Sequence, residues 1–225
     1  MHKEKTRSTP AHHRIFVVDD HPIVRQGLVQ LISSEGDLVV CGEGEDAYDA
    51  LRSIRRAKPD LVLLDISLKG SDGIELLKEL LSSGDETLVL MLSMHDETLY
   101  ADRALRAGAR GYIMKHEAPQ VLLSAIRQVL RGEIYVSEKL RGTLLQRMVG
   151  RKTPVQTSPM ERLTDRELEI FRLIGAGLTV RDIAEKLCLS PKTVEAHREH
   201  IKDKLNLDSS VELLRYAIRS TPEQN

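Results

Sequence analysis

The sequence predicts a doubly wound α/β domain followed by a small all-α domain. Two observations carry this. Short apolar runs alternate five times with helical patterns between Arg14 and Gly132, and each run is apolar throughout rather than at every second residue. Such runs read as strands buried on both faces of a parallel sheet. Beyond Ser158 that pattern stops, and four short helical stretches fill the rest of the chain.

The elements follow in order. Ile15–Val18 is the first strand, ending in Asp19 and Asp20. Pro22 suits a first helical turn, and Val24, Leu28, Leu31 and Ile32 give that helix a buried face. Leu38–Cys41 is the second strand, and Ala47, Leu51 and Ile54 mark the second helix. Leu61–Leu64 runs into Asp65. Gly70 and Gly73 punctuate the loop before a helix with Ile74, Leu77 and Leu80. Thr87–Leu92 ends at Ser93, and a helix over Leu99–Ala107 stops at Gly108. Gly111–Met114 ends at Lys115, and the helix over Val121–Leu130 is closed by Gly132. GEIYVS breaks the helical pattern and is expected to form a short extended piece, and the pattern resumes over Glu138–Met148. Gly150–Ser158 carries two prolines and little apolar content, as a flexible linker does.

In the second half, Thr164 and Glu167 form a capping-box pattern. Thr179–Leu187 is a short helix, Cys188–Ser190 a tight turn, and Pro191–Leu205 a longer helix with Val194, Ile201 and Leu205 on one stripe. Ser209–Arg219 is the last. The expected organisation is a disordered tail over 1–13, an α/β domain over 14–132, a linker with a short helix over 133–158, and a helix-turn-helix domain over 159–225.

Composition sets bounds. The 225 residues carry 33 basic and 34 acidic side chains, a formal net charge of -1, so a broadly basic nucleic-acid coat is excluded. The two cysteines, Cys41 and Cys188, stand in no metal-binding spacing and suit a reducing, cytoplasmic compartment. No apolar run is long enough to span a bilayer, and MHKEKTRSTPAHH has no signal-peptide core. His12 and His13 read as part of a solvated arm.

Parallel strands place their carboxyl ends along one rim, so Asp19, Asp20, Asp65, Ser93 and Lys115 can converge there. Taken singly, each suits a helix cap, a turn hydroxyl or a solvated charge. Together, three carboxylates repel unless one is protonated or a cation is shared. Hard oxygen ligands with no histidine or thiol nearby suit magnesium or manganese. A lysine and a hydroxyl beside them can hold phosphoryl oxygens.

This constellation resembles the receiver domain of two-component response regulators, a flavodoxin-like fold. The resemblance implies that Asp65 accepts a phosphoryl group from a sensor histidine kinase. It implies Mg2+ (or Mn2+) at Asp20, Asp65 and the Ser67 carbonyl, with Asp19 acting through water. Lys115 would pair with the phosphoryl group, and Ser93 and Tyr112, within GYIMK, would swing inward. The chain departs from the family at Lys69, where proline is common, and a charge there is expected to alter phosphoryl lifetime. Ser67 and His95 flank the pocket and are expected to tune hydrolysis of the aspartyl phosphate.

LTDRELEIFRLIGAGLTVRDIAEKLCLSPKTVEAHREHIKDKLNL resembles the LuxR-type helix-turn-helix. Both halves together resemble response regulators of the NarL/FixJ class: cytoplasmic transcription regulators, not enzymes beyond limited hydrolysis of their own phosphate. The implied partners are the kinase, double-stranded DNA and a second copy of the chain. Val180–Glu199 would be the reading motif, with Lys192, Thr193, Glu195, Ala196, His197, Arg198, Glu199 and Lys202 at the DNA. Glu195, and with it Glu199, is expected to affect base preference, while Lys192, Arg198 and Lys202 hold the backbone. Val211 and Leu214 suit a dimer contact or domain core equally. His197 and His200 with Cys188 match no common zinc finger, so a metal is discounted there.

Two other readings fit part of the chain. An aspartyl-phosphate phosphohydrolase of the haloacid-dehalogenase type needs a second acid where Ser67 stands. A non-switching receiver on a constitutive DNA binder fits poorly with intact acids, Ser93 and Lys115.

Overall fold

The computed structural model describes residues 12–68, 71–82, 86–94, 97–148 and 159–220. Lys69, Gly70, His95, the linker expected at Gly150–Ser158 and the tail before His12 lie outside the described residues. Two compact units divide the chain, the first reaching Gly142.

The first unit is a five-stranded parallel sheet: β1 (His13–Val18), β2 (Leu38–Gly44), β3 (Leu61–Asp65), β4 (Leu88–Ser93) and β5 (Gly111–Met114), in spatial order β2-β1-β3-β4-β5. Five helices alternate with the strands: α1 (Pro22–Ser33), α2 (Ala47–Ala57), α3 (Gly73–Ser82), α4 (Glu97–Arg106) and α5 (Pro119–Leu130). All five apolar runs form strands, and those of β1, β3, β4 and β5 find cover on both faces, whereas the edge strand β2 leaves Val39 exposed. Ile15, Val17, Leu61, Leu63, Leu90 and Leu92 join one cluster with Ile32 of α1 and Leu122, Ile126 and Val129 of α5. The alternate residues Phe16, Val18, Val62, Leu64 and Met91 are equally buried and face the other way.

Three sequence expectations are corrected. β1 starts at His13, whose N–H donates to Asp37 O, one residue before the boundary expected at Arg14. β2 runs on to Gly44, past Cys41, because its pairing with β1 continues through an irregularity after Ile15. Val24 is exposed rather than part of the buried face of α1, where Ile32 alone is fully covered. Gly108, at φ +106, lets the chain leave α4 sharply enough to enter β5.

The short extended piece expected in GEIYVS forms at Tyr135. Tyr135 N–H donates to Arg110 O and Tyr135 O accepts from Tyr112 N–H, each at 3.0 Å, adding one residue to the open edge of β5. Val136 and Leu140 are buried at the start of α6 (Glu138–Met148).

The second unit contains α7 (Asp165–Gly175), α8 (Val180–Lys186), α9 (Pro191–Leu205) and α10 (Ser210–Ser220). The capping box at Thr164 and Glu167 forms as its spacing implies, and Thr179 with Asp182 makes a second. Ser190 caps α9 through Thr193 N–H, with Pro191 in the first turn. Cys188 takes φ +52 in the turn between α8 and α9. Leu168, Phe171, Ile183, Val194, Ile201 and Leu213 are buried in this unit, with Phe171 and Tyr216 ring centroids 5.8 Å apart.

Candidate functional site

The sheet order reverses direction at β1 and β3, whose carboxyl ends part there and leave a crevice, the place where ligands bind in open α/β sheets. Asp19 and Asp20 follow β1, and Asp65 ends β3 beside it. Ser93 ends β4, and Lys115 follows β5, its N–H donating to Ser93 O at 2.8 Å. The rim predicted from the strand ends therefore exists.

Its charges are packed together. Lys115 Nζ lies 2.7 Å from Asp65 Oδ2 and 2.7 Å from Asp19 Oδ2. Asp19, Asp65 and Ser93 are almost wholly shielded from water. Burial pushes the Asp65 carboxyl up to about 7, and Asp19 adds to the rise, against the opposing pull of Lys115 and the Ser67 N–H. Burial works to lower Lys115, but Asp65 and Asp19 outweigh it and hold its ammonium above the ordinary lysine range. Ser67 N–H reaches Asp65 Oδ1 at 3.3 Å, a long contact. Tyr112 is buried on β5 opposite Met91.

The carboxylates suit a divalent cation. Asp19 Oδ2 and Asp20 Oδ1 are buried without an aligned hydrogen bond, the first facing the Lys115 ammonium and the second the His21 imidazole. Ligand atoms of Asp19, Asp20, His21 and Asp65 lie within 4.8 Å of one another. This corrects the expectation of an all-oxygen cluster far from any histidine. His21 Nδ1 stands 2.6 Å from Asp20 Oδ1, and the His21 backbone N–H donates to Asp19 Oδ1 at 2.8 Å. His21 follows the acids directly, so its place in the sequence already offered that signal.

Arg25 is a second residue that sequence reasoning missed. Its guanidinium donates to Asp19 O at 2.6 Å and to Glu43 Oε2 at 3.1 Å, fixing the turn that presents the acids. It sits on the helix face one turn beyond His21, a spacing that carried no strong signal by itself. Gly73 is required by close packing: a Cβ there would stand 2.0 Å from Asp65 O. The short ribbon of Ser67–Leu68 with Ser71–Asp72 can thus fold back against the end of β3, and Gly73 N–H donates to Ile66 O at 2.7 Å.

In the second unit, α8, the turn at Cys188 and α9 make a helix-turn-helix. Its outward stripe is narrower than the sequence suggested. Lys192, Glu195, Ala196, Glu199, His200 and Asp203 are exposed, whereas Thr193, His197, Arg198 and Lys202 are half-buried. Arg198 pairs with Glu195 at 3.2 Å and Lys202 with Glu199 at 2.8 Å. Two of the expected backbone-holding cations therefore rest on glutamates of their own helix. His197 turns toward α7, since it lies on the side of α9 that packs there.

Comparison with known proteins agrees with both halves. The family "Response regulator receiver domain" matches residues 15–127, and "Bacterial regulatory proteins, luxR family" matches residues 161–217. The oxygen regulatory protein NreC of Staphylococcus aureus is 40% identical over 210 residues, covering 92% of this chain and 97% of that protein. Response regulator ChrA of a heme-sensing two-component system is 31% identical, covering 93% of this chain and 98% of that one, at a TM-score of 0.51. RcsB, solved as two dimers bound to two parallel DNAs, is 25% identical, covering 93% of this chain and 100% of that one, at a TM-score of 0.56. With an acidic rim on a parallel sheet, a helix-turn-helix, and relatives that share both along nearly their whole length, this chain belongs to the LuxR-type two-component response regulators, transcription regulators controlled by phosphorylation.

Proposed function

We propose that Asp65 is the residue phosphorylated, with a sensor histidine kinase as donor. The observation that carries this is the contact of Lys115 Nζ with Asp65 Oδ2 and Asp19 Oδ2 at 2.7 Å, inside a water-shielded group of carboxylates. An Asp65 carboxylate oxygen attacks the donor's phosphorus, the phosphorus–nitrogen bond breaks, and the donor imidazole leaves with that electron pair. Asp65 must be ionised to attack. With its carboxyl pushed up to about 7, positive charge in the crevice keeps it so.

Asp20, Asp65 and the Ser67 carbonyl would hold Mg2+ (or Mn2+), with Asp19 acting through water. When bound, the cation supplies charge neutralisation for the carboxylates and the phosphoryl oxygens. Lys115 already sits at Asp65 and turns its ammonium to the phosphoryl group. The Ser93 hydroxyl donates to the same group, and Tyr112 follows on β5. Slow hydrolysis of the aspartyl phosphate resets the switch. Incubation with an acyl phosphate and magnesium, followed by peptide mass mapping, tests this: the label is expected on Asp65 and absent from Asp65→Asn. A label on another acid contradicts it.

The output half binds double-stranded DNA through α9 in a major groove, as a homodimer. RcsB dimers on DNA support this reading. Lys192, Thr193, Glu195, Ala196, His197, Arg198, Glu199 and Lys202 form or flank the contact, and Arg198 and Lys202 exchange their glutamates for phosphates. The functional division is a receiver over 14–132, a linker with a short helix over 133–158, and the DNA-binding domain over 159–225. A cytoplasmic location suits both partners, and no described helix is long and apolar enough to cross a membrane.

A further inference from the structure

The recognition helix carries a second histidine-bearing cluster, far in sequence from the acidic rim. Glu167 of α7 and His197 and His200 of α9 each offer a ligand atom, all within 4.8 Å of one another. Cys188, the third member that the sequence suggested, is not in this group; Glu167 takes its place.

Three features bear on what this group can hold. Glu167 is buried, and Lys204 Nζ donates to Oε1 at 2.9 Å and to Oε2 at 2.6 Å, while Thr164 N–H donates to Oε2 at 2.7 Å. A cation thus already occupies the carboxylate. His197 Nδ1 is shut off from water and has no hydrogen-bond partner, an exception among buried polar atoms that asks for a partner. His200 is exposed and three residues along the same helix, so both imidazoles reach the same side of α9.

We propose that Glu167, His197 and His200 form a binding site for a borderline transition-metal ion, zinc being the type case, which displaces Lys204. Two imidazole nitrogens and one carboxylate oxygen, completed by water, are an ordinary zinc donor set. The Lys204 ammonium is held by the two Glu167 oxygens, whereas a transition metal can take the carboxylate and both imidazole lone pairs together. The Lys204 side chain is about one-third exposed and returns to water when displaced. The bound ion joins α7 to α9 and stabilises the reading helix by mass action.

The test uses the full chain in excess magnesium, which fills the acidic rim. Zinc is titrated against a metal-sensitive dye, and thermal unfolding is followed with and without zinc. The comparison variants are His200→Ala and His200→Asn, both at an exposed position, with the histidines at the start of the chain kept in every protein. The native chain is expected to bind one more zinc equivalent than either variant, and only its unfolding temperature rises with zinc. Lys204→Gln, which removes the competing ammonium, is expected to bind zinc more tightly. Equal stoichiometry in native and His200 variants, or an equal zinc-induced shift in unfolding temperature, overturns the proposal.

Discussion

At the scale of single residues, Asp65 is where burial and function conflict. An unfolded aspartate titrates near about 3.9. In the folded receiver burial moves Asp65 up to about 7. Between those values the folded state keeps the proton and the unfolded state has lost it. Raising pH across that window therefore removes stability, and the loss is complete above the folded value. In chelator, the stability difference between the native chain and Asp65→Asn should move against the native chain from pH 4 to pH 7. Chemical denaturation at several pH values checks this, and magnesium should oppose the trend. A difference that moves toward the native chain would show that Asp65 is not the strained acid. Asp19, Asp20, Asp65, Ser93 and Lys115 were legible in the sequence because each closes a strand or follows one. His21, directly after the two acids, offered the same signal and was passed over, whereas Arg25 lies within α1, away from any strand end; both hold the turn after β1.

At the scale of elements, the strands and caps were legible to within a few residues, because continuous apolar runs and capping boxes are local signals. The sequence pointed to a short extended piece at GEIYVS but not to its pairing with β5, which depends on which edge of the sheet lies open. Nor did it point to the inward turn of His197, which follows from how α9 rests on α7. Leu64 is fully buried in β3 one residue before Asp65. Leu64→Ala should cost about 2–5 kcal/mol, read as a lower denaturation midpoint. Thr164→Ala should cost about 0.5–2 kcal/mol, because it removes one arm of the capping box at α7. Its partner Glu167 is raised by burial but lowered more by Lys204 and Thr164, for a net fall. That contribution is present above the ordinary carboxylate range and lost as pH falls through the lowered value. At the other end of the receiver, Arg127 clasps Asp37 at 2.7 Å and Glu35 at 2.6 Å, tying α5 to the turn before β2. Arg127→Ala should loosen that turn and leave labelling of Asp65 intact, as mass mapping would report.

At the scale of the whole molecule, both units were legible because each has its own periodicity. The reading face was harder. The sequence named candidate residues for it, but their exposure depends on helix packing, and the outward stripe proves richer in acid than the residue list implied. Glu195→Ala is expected to shift the preferred base in a selected DNA site, since a glutamate accepts from a cytosine amino group. An unchanged selected motif would remove Glu195 from the reading set. Coupling between the halves is what makes the chain a switch. The most direct measurement is affinity for a selected DNA site, with and without acyl phosphate and magnesium, for the native chain and for Asp65→Asn. The native chain should bind more tightly after treatment, and Asp65→Asn should not change. Equal affinity of the native chain before and after treatment, or an equal gain in both proteins, would contradict the account.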